Sequence, residues 1–385
     1  DCPKCGKSAR RETDTMDTFI DSSWYFFAFC DPPSVEDEIP YQKKLVDYWG
    51  NVDQYIGGIE HAVMHLIYAR FFTKVTRDLG LHSHDEPFQR LLTQGMINKP
   101  TLYCEKCDRF LLKAELEEEK CKKCGNTDLP MKSVKMSKSY GNTVSPEKII
   151  EEYGADAARF FILFGASPKS GLEWSDEGVG FAHKFIRNTH DLVMGELEVI
   201  RKESTIRDTL IRYQMNKTIK DVSEHLERIE IRNAVNQIIQ FAQELVKYNM
   251  EGVKEEVFEE AKEKLVRILH PIAPHVTEEL WEHLNGEGYL SLESWPEHDE
   301  TLLTEENEFK MNLLDDTVDS INHIKLILKK EEIDEILLVI ADQWKYDFME
   351  TVMDLVDETR NQGEIMKEIM KDGSMKPHGQ FIAKM

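Results

Sequence analysis

The chain has 385 residues, 41% of them hydrophobic, and a formal charge of −24. That is enough apolar material for two or three cored domains, while no apolar run approaches a membrane span and no basic-then-apolar leader opens the chain, so a cytoplasmic protein with no membrane partner is expected. The acidity excludes a uniformly basic nucleic-acid-binding face, and any RNA contact must use local patches.

Asp1-Cys2-Pro3-Lys4-Cys5-Gly6 begins without methionine, inside half of a zinc-binding pattern, and the chain is expected to be a piece of a longer protein. From Thr13 to about Gly165, short apolar strands mix with helices, as in an α/β domain. Glu60 to Leu79 reads as a helix, with Val63, Ile67 and Phe71 recurring at i, i+4 and Gly80 as its stop. Leu91-Leu92 is strand-like. Residues 101–131 are polar, rich in lysine and glutamate, and punctuated by cysteines, which marks a small inserted module. Ser145 as N-cap, Pro146 and Gly154 delimit one further helix, and a second runs from Asp156 to near Gly165.

From Glu177 to about Leu284 the chain is almost all amphipathic helix, broken at His270-Pro271-Ile272-Ala273-Pro274-His275 and restarting at Thr277, so a helical bundle is expected. An acidic linker near Trp295 to Glu306 leads to a tail read as a helix through Leu326, a strand Ile336 to Ala341, two helices and a terminal strand Phe381-Ile382-Ala383. The expected domains are 1–170, with the insertion 101–131, then the bundle 171–300, then a small α/β unit 307–385.

Cys104-x-x-Cys107, thirteen residues, then Cys121-x-x-Cys124 is a complete four-thiolate set. It predicts a structural Zn2+ in a ribbon, because four thiolates leave no open position for water. Cys2 and Cys5 supply only half a site. Cys30 has no partner pattern and is expected to be buried.

Lys135-Met136-Ser137-Lys138-Ser139 is the strongest catalytic signal. Two lysines three apart beside two hydroxyls can wrap a triphosphate from a short mobile loop, and their ammonium groups would stabilise charge building on a leaving pyrophosphate. Gly141 lets the backbone turn before the next helix. His61 and His65, at i, i+4, could bind zinc or could be packed core histidines. Gly57-Gly58 allows backbone to approach a ligand closely, and Glu60 would open a helix whose N-terminus faces it.

The run Ser133 to Asn142, with Ile149-Ile150-Glu151-Glu152-Tyr153-Gly154-Ala155-Asp156 after it, resembles the second signature of class I aminoacyl-tRNA synthetases. Arg10 to Phe19, Ile20-Asp21-Ser22-Ser23-Trp24-Tyr25-Phe26, Tyr55 to Leu66 and Gln94-Gly95-Met96-Ile97 are similar to the leucyl family rather than the valyl or isoleucyl ones. The resemblance implies the C-terminal half of a class I nucleotide-binding α/β fold, with the zinc ribbon inserted and the bundle behind it. His82-Ser83-His84 lacks the glycine of the first class I signature, which is therefore expected on an N-terminal half, together with the editing domain.

On this resemblance Lys138 and Lys135 are the catalytic residues. ATP is held by Lys135, Met136, Ser137, Lys138, Ser139, Gln94, Gly95 and Met96. Phe19, Ser22, Tyr25, Gly57, Gly58, Glu60, His61 and His65 border the leucine and adenylate pocket. Mg2+ accompanies ATP, and tRNA(Leu) is the second substrate. The tail lysines Lys371, Lys376 and Lys384, with Lys367 and His378, are candidate tRNA contacts, and a solvated surface is the competing reading. The implied activity is leucine–tRNA ligation, with this chain inactive alone. The alternative is a non-catalytic RNA-binding accessory protein derived from a synthetase.

Overall fold

A computed structural model describes residues 1–32, 40–197, 199–330, 333 and 335–382. The chain divides into two compact units, Asp1–Met311 and Asn312–Met385.

The first unit opens on two helical turns, Phe19–Ser22 and Tyr25–Ala28, ahead of a two-stranded parallel sheet. Strands β1 (Val52–Gly58) and β2 (Phe88–Gln94) pair in register from Val52 with Phe88 to Gly58 with Gln94. The crossover between them is the helix Met64–Asp78, as a parallel pair requires. It starts four residues later than the sequence suggests, because Ile59–His61 forms a separate 3-10 turn and Val63 offers no side-chain cap. Glu60 therefore lies in that turn and does not open the helix.

The apolar stripe of this helix faces the other way from expectation. Val63, Ile67 and Phe71 are 68%, 59% and 59% exposed, whereas His65, Ala69 and Thr73 are buried. Ile56 on β1 and Leu91 on β2 are exposed as well. The stripe read from periodicity is real but has no partner among the described residues.

Strand β3 (Ile97–Cys104) pairs antiparallel with Met131–Lys135 and parallel with Leu172–Glu173, so the two ends of the insertion lie side by side. Ser175 then caps the first bundle helix, Asp176–Met194, by accepting from the Gly178 N–H at 3.1 Å. The helices Ile206–Glu227, Ile231–Glu251, Glu255–Leu269 and Pro274–His283 complete the bundle. The last of these opens at Pro274 and not at Thr277, whose hydroxyl donates back to the Ala273 carbonyl at 2.8 Å. Proline suits the first helical position, where no N–H is needed.

One apolar core joins the helices Pro146–Tyr153 and Ala155–Gly165 to the bundle: Ile149, Phe160 and Phe161 share it with Ile238, Phe241 and Leu265. Polar clamps fix the same join. Asp156 accepts from the Val276 N–H at 2.7 Å, and Arg159 donates to the Pro271 and Ile272 carbonyls at 3.0 and 3.1 Å. The packing core thus runs continuously across residue 170.

Asp208, 4% exposed, is the most heavily bonded buried charge of the bundle. It accepts from Arg201 at 2.6 Å, the Tyr248 hydroxyl at 2.6 Å and the Thr205 N–H at 2.7 Å. Burial alone would raise its pKa, but Arg201, Tyr248 and the Thr205 N–H hold it below the usual carboxylate range, and burial with the Asp208 contact pushes Tyr248 up to about 12. A carboxylate depressed on folding stabilises above its unfolded value, about 3.9, and that share is lost as pH falls through the lower folded value. Asp208→Asn is expected to cost about 2–4 kcal/mol in urea unfolding at pH 7, since Arg201 is left uncompensated. The gap from wild type should narrow below about pH 4; a constant gap would refute the assignment.

In the second unit the helix that began at Glu305 ends at Leu328, and Gln343–Glu358 and Gln362–Ile369 follow. Phe348, Ile369, Met375 and Ile382 form its small core. The expected α/β tail is corrected here. Among the described residues, 336–341 have no strand partner, and Ile336 to Ile340 are exposed; Phe381 and Ile382 belong to a helical turn, Gly379–Ile382, and not to a strand. β-propensity alone does not make a strand without a neighbour to take up its N–H and C=O groups. Ala383 and Lys384 lie outside the described residues. No helix among the described residues is long and apolar enough to cross a membrane.

Candidate active site and metal centre

A cavity of about 400 Å3 opens at the carboxyl end of β1 and β2, where parallel α/β sheets bind ligands. Phe19, Ser22, Tyr25, Gly57, Gly58, His61 and His65 all line it. Sequence reasoning missed Thr18, Tyr55, Leu66, Leu91 and Thr93, which share the wall. Tyr55 and Leu91 had a readable signal, since each lies two residues before another wall residue of its own strand, Gly57 and Thr93, and so on the same face. At Gly57 an added Cβ would meet nothing within 4 Å, so the backbone there borders open space. At Gly58 it would lie 2.4 Å from a Glu60 carboxylate oxygen, so Glu60 sits against the back of the wall without lining the cavity.

His65 is 8% exposed, and its Nε2 lies 2.7 Å from the Tyr55 hydroxyl, itself 2.8 Å from that of Tyr25. Burial, then the neighbouring His61, lowers the His65 pKa, and burial raises that of Tyr55. Both shifts favour the neutral forms of these two side chains. Among the described residues no metal-binding group includes His61 and His65.

The signature loop leaves the strand Met131–Lys135 and enters a 3-10 turn, Lys138–Tyr140. Ser137 caps that turn by accepting from the Tyr140 N–H at 3.3 Å, and Gly141 closes it at φ +57°, a conformation that favours glycine. Asn142, 7% exposed, braces the loop, accepting from the Ser137 N–H at 2.9 Å and donating to the Thr101 hydroxyl at 3.0 Å. Met136 donates its N–H to the Ile97 carbonyl at 2.9 Å. Lys138 and Ser139 are exposed. Lys135 lies 3.2 Å from Glu60, which its own backbone N–H and then Lys135 hold below the ordinary glutamate range.

Gln94 and Gly95 line a separate cavity of about 290 Å3 with Ile56, Ile97 and Leu172. Gly95 is needed there for packing: a Cβ would lie 2.1 Å from the Ser170 carbonyl oxygen, and its N–H donates to Pro168 at 3.0 Å. Met96, beside them, is 40% exposed.

The insertion brings the sulfurs of Cys104, Cys107, Cys121 and Cys124 within 4.8 Å of one another, a cluster that could hold a metal ion. Cys104 to Cys124 is 3.4 Å and Cys107 to Cys121 is 3.9 Å, close to the ~3.8 Å edge of a tetrahedron with 2.3 Å zinc–sulfur bonds. A hydrogen bond with Cys124 pushes Cys107 up to about 12, while Cys121, against its burial, is brought to about 7 by the Cys124 and Lys123 N–H groups. Cys2 and Cys5 occupy a turn of the same form as Cys121 to Asn126: Gly6 at φ +70° and Gly125 at φ +69° each donate to the first cysteine's carbonyl, at 2.8 and 2.7 Å. Cys30 is half-buried and donates to the Phe26 carbonyl at 3.4 Å.

The remaining candidates are held by other contacts. His82, 2% exposed, bonds the Thr76 hydroxyl at 2.8 Å, and His84 bonds the Val46 carbonyl at 2.9 Å, so this pair closes the segment around the helix Lys43–Trp49. In the second unit Lys371 pairs with Glu368 at 2.6 Å, and His378 stacks on Trp344 with centroids 4.0 Å apart. Lys367 and Lys376 are exposed.

Residues 130–175 match the family profile of class I tRNA synthetases (I, L, M and V), and residues 208–341 that of the anticodon-binding domain of tRNA ligase. Leucine–tRNA ligase of Fusobacterium nucleatum is 42% identical over 79% of this chain and 37% of its own length. That of Magnetococcus marinus is 38% identical over 89% of this chain and 41% of its own. The crystal structure of an Agrobacterium radiobacter LeuRS–tRNA–LeuAMS ternary complex aligns with a TM-score of 0.61 at 32% identity, covering 79% of this chain and 35% of that one. The chain thus spans about two fifths of the curated relatives it matches. With this site geometry and these matches over most of its length, the chain belongs to the class I aminoacyl-tRNA synthetases, in the leucine–tRNA ligase family.

Proposed function

We propose that this chain supplies the second-signature half of a leucine–tRNA ligase, which activates leucine with Mg-ATP, releases pyrophosphate and esterifies the 3′ end of tRNA(Leu). The observation that carries the reading is the cavity at the end of β1, lined by Phe19, Ser22, Tyr25, Gly57, Gly58, His61 and His65 and tied through Glu60 to Lys135. A mostly apolar cavity of this size suits an aliphatic amino acid joined to a nucleotide. In use Lys138 and Lys135, with Met136, Ser137 and Ser139, would hold the triphosphate, and Gln94 to Met96 the adenosine edge. An accessory RNA-binding role leaves this lined cavity without a purpose.

The exposed side chains of Val63, Ile67 and Phe71 on the helix, and of Ile56 and Leu91 on opposite faces of the two-stranded sheet, support an upstream partner. Parallel sheets are covered on both faces, and two strands do not stand alone; the N-terminal half of the nucleotide fold is the occupant that completes them. The bundle, about 171–300, and the tail, through Lys371, Lys376 and Lys384, are assigned to tRNA. Zn2+ at the four cysteines would have a structural role, and Cys2 with Cys5 would need two further ligands from elsewhere. Seven free thiols suit a cytoplasmic setting.

The test is leucine-dependent ATP–pyrophosphate exchange, measured on the chain alone and with a relative's upstream half added. Activity is expected only in the mixture. Exchange by the chain alone would overturn the half-site reading, and none in the mixture would overturn the assignment.

A further inference from the structure

The turn between the crossover helix and β2 is closed from inside by one imidazole. The His84 backbone N–H donates to His82 Nδ1 at 3.1 Å, so that nitrogen carries no proton. The ring proton therefore sits on Nε2, which donates to the Thr76 hydroxyl at 2.8 Å, and Thr76 donates its own to the Phe72 carbonyl at 2.7 Å. Both nitrogens of a ring only 2% exposed are thus committed in the neutral form, with the Phe27 ring centroid 4.5 Å away. The same turn is seated on the helix Lys43–Trp49. Ser83 donates its N–H and its hydroxyl to Asp47, each at 2.8 Å, and His84 donates to the Val46 carbonyl at 2.9 Å. The fit is close, since a Cβ at Gly50 would lie 2.9 Å from His84 Nε2. Toward solvent the turn is joined to the crossover helix by exposed ion pairs, Arg70 with Glu86 at 2.7 Å and Arg77 with Asp85, and such pairs hold weakly. The turn ends at Pro87, whose carbonyl takes the Val52 N–H at 2.9 Å where β1 and β2 begin to pair.

We propose that His82 is an acid-sensitive latch, which closes residues 79–87 while uncharged and on protonation releases them together with the helix Lys43–Trp49. A proton on Nδ1 would set it and the His84 N–H against each other, two donors in a buried site, and the ring would lose the bond that closes the turn. The surroundings work against the charged ring. Burial, then His84 of the same turn, lowers the His82 pKa; Asp47 opposes them, while Lys43 and, from the crossover helix, Arg77 act with them. Asp47 is already engaged by Lys43 and Ser83. Tyr41, whose ring lies 5.8 Å from that of Phe27, has its pKa raised by burial and brings no charge. The opened turn binds the proton near the ordinary histidine value, about 6.5, and the closed turn refuses it. Closure is therefore complete above that value and is lost as pH falls toward the lower value of the closed form.

The test is hydrogen exchange of the 385-residue chain across this pH range, corrected for the intrinsic exchange rate. Opening of 79–87 and of Lys43–Trp49 should rise by up to about tenfold for each pH unit below about 6.5, while Ile231–Glu251 keeps its protection. His82→Asn sets an amide oxygen near the place of Nδ1, where it can accept the His84 N–H as in an Asx turn, but it does not titrate. In that variant the opening of both segments should be flat over the same range. Histidine labelled with 15N should show His82 of the unaltered chain protonated at Nε2 alone at about pH 7. Opening that does not change with pH in the unaltered chain overturns the latch, whatever the variant does. A slope that persists in His82→Asn belongs to another group and overturns the assignment, as does a His82 that carries protons on both nitrogens at neutral pH.

Discussion

Replacing Lys138 with alanine is expected to lower leucine-dependent ATP–pyrophosphate exchange in the reconstituted enzyme by about 10²–10³-fold, roughly 3–4 kcal/mol of transition-state stabilisation. Lys138 is exposed at the start of a three-residue turn whose ends are set by Ser137 and Gly141. Among the described residues no ion pair holds it, whereas Lys135 is engaged with Glu60. On the proposed function the free ammonium would meet charge as it develops, and binding gained only in the transition state appears in kcat. Lys135 must first leave a surface pair worth only about 0–1 kcal/mol, so Lys135→Ala should act more evenly on KM and kcat. Neither change should alter the thermal unfolding midpoint by more than about 2 °C, because both side chains are exposed. Wild-type exchange in Lys138→Ala would remove this residue from the mechanism.

Removing metal from the four-cysteine cluster is expected to unfold the insertion and loosen the signature loop while the bundle stays folded. The insertion has almost no core of its own: Cys104, Cys121 and Leu111 are its buried members. Its internal strands are two-residue pieces. A structural zinc contributes about 10–16 kcal/mol of apparent binding free energy in comparable small modules, far more than such a core supplies. The module in turn supports the loop. Phe110 packs edge-on against Tyr140 at 5.1 Å, and Leu112 lies where a side chain at Gly141 would be, 2.1 Å from an added Cβ. Hydrogen exchange after chelation, or in Cys104→Ser, should therefore rise through 101–131 and on through 135–141. Protection in Ile231–Glu251 should hold, since that helix belongs to the separate core containing Ile238 and Phe241. Metal content should be one zinc for the complete cluster, and full protection of the module without metal would contradict its structural role. Binding should release protons, since the thiols must lose theirs to ligate the metal.

The signature loop and the four cysteines are legible in the amino-acid sequence because each depends on identity and spacing, whereas the seven pocket residues were implied by the family resemblance. Two lysines three apart, two pairs of cysteines and a Gly-Gly bend carry their chemistry locally. The bundle is legible for a similar reason, since helical periodicity is a property of one segment. Strand alternation with Gly57 could have placed Tyr55 in the wall, but not its hydrogen bonds with Tyr25, 30 residues away in sequence, and His65, ten away.

The errors share one cause. Val63, Ile67 and Phe71 form the stripe that periodicity announces, yet they face outward, because a pattern states that a face is apolar and not what covers it. Ile336 to Ile340 have the composition of a strand and remain unpaired, because a strand's hydrogen bonds belong to its neighbour. Gly95, expected on an adenosine-contacting edge, also packs closely against the Ser170 backbone, a contact no local pattern shows. The amino-acid sequence by itself determined the family, the loop chemistry and the thiolate set. Only the tertiary structure decided which side chains share a cavity, which lysine is already paired and which faces stand open, since those depend on contacts between segments that no local pattern encodes.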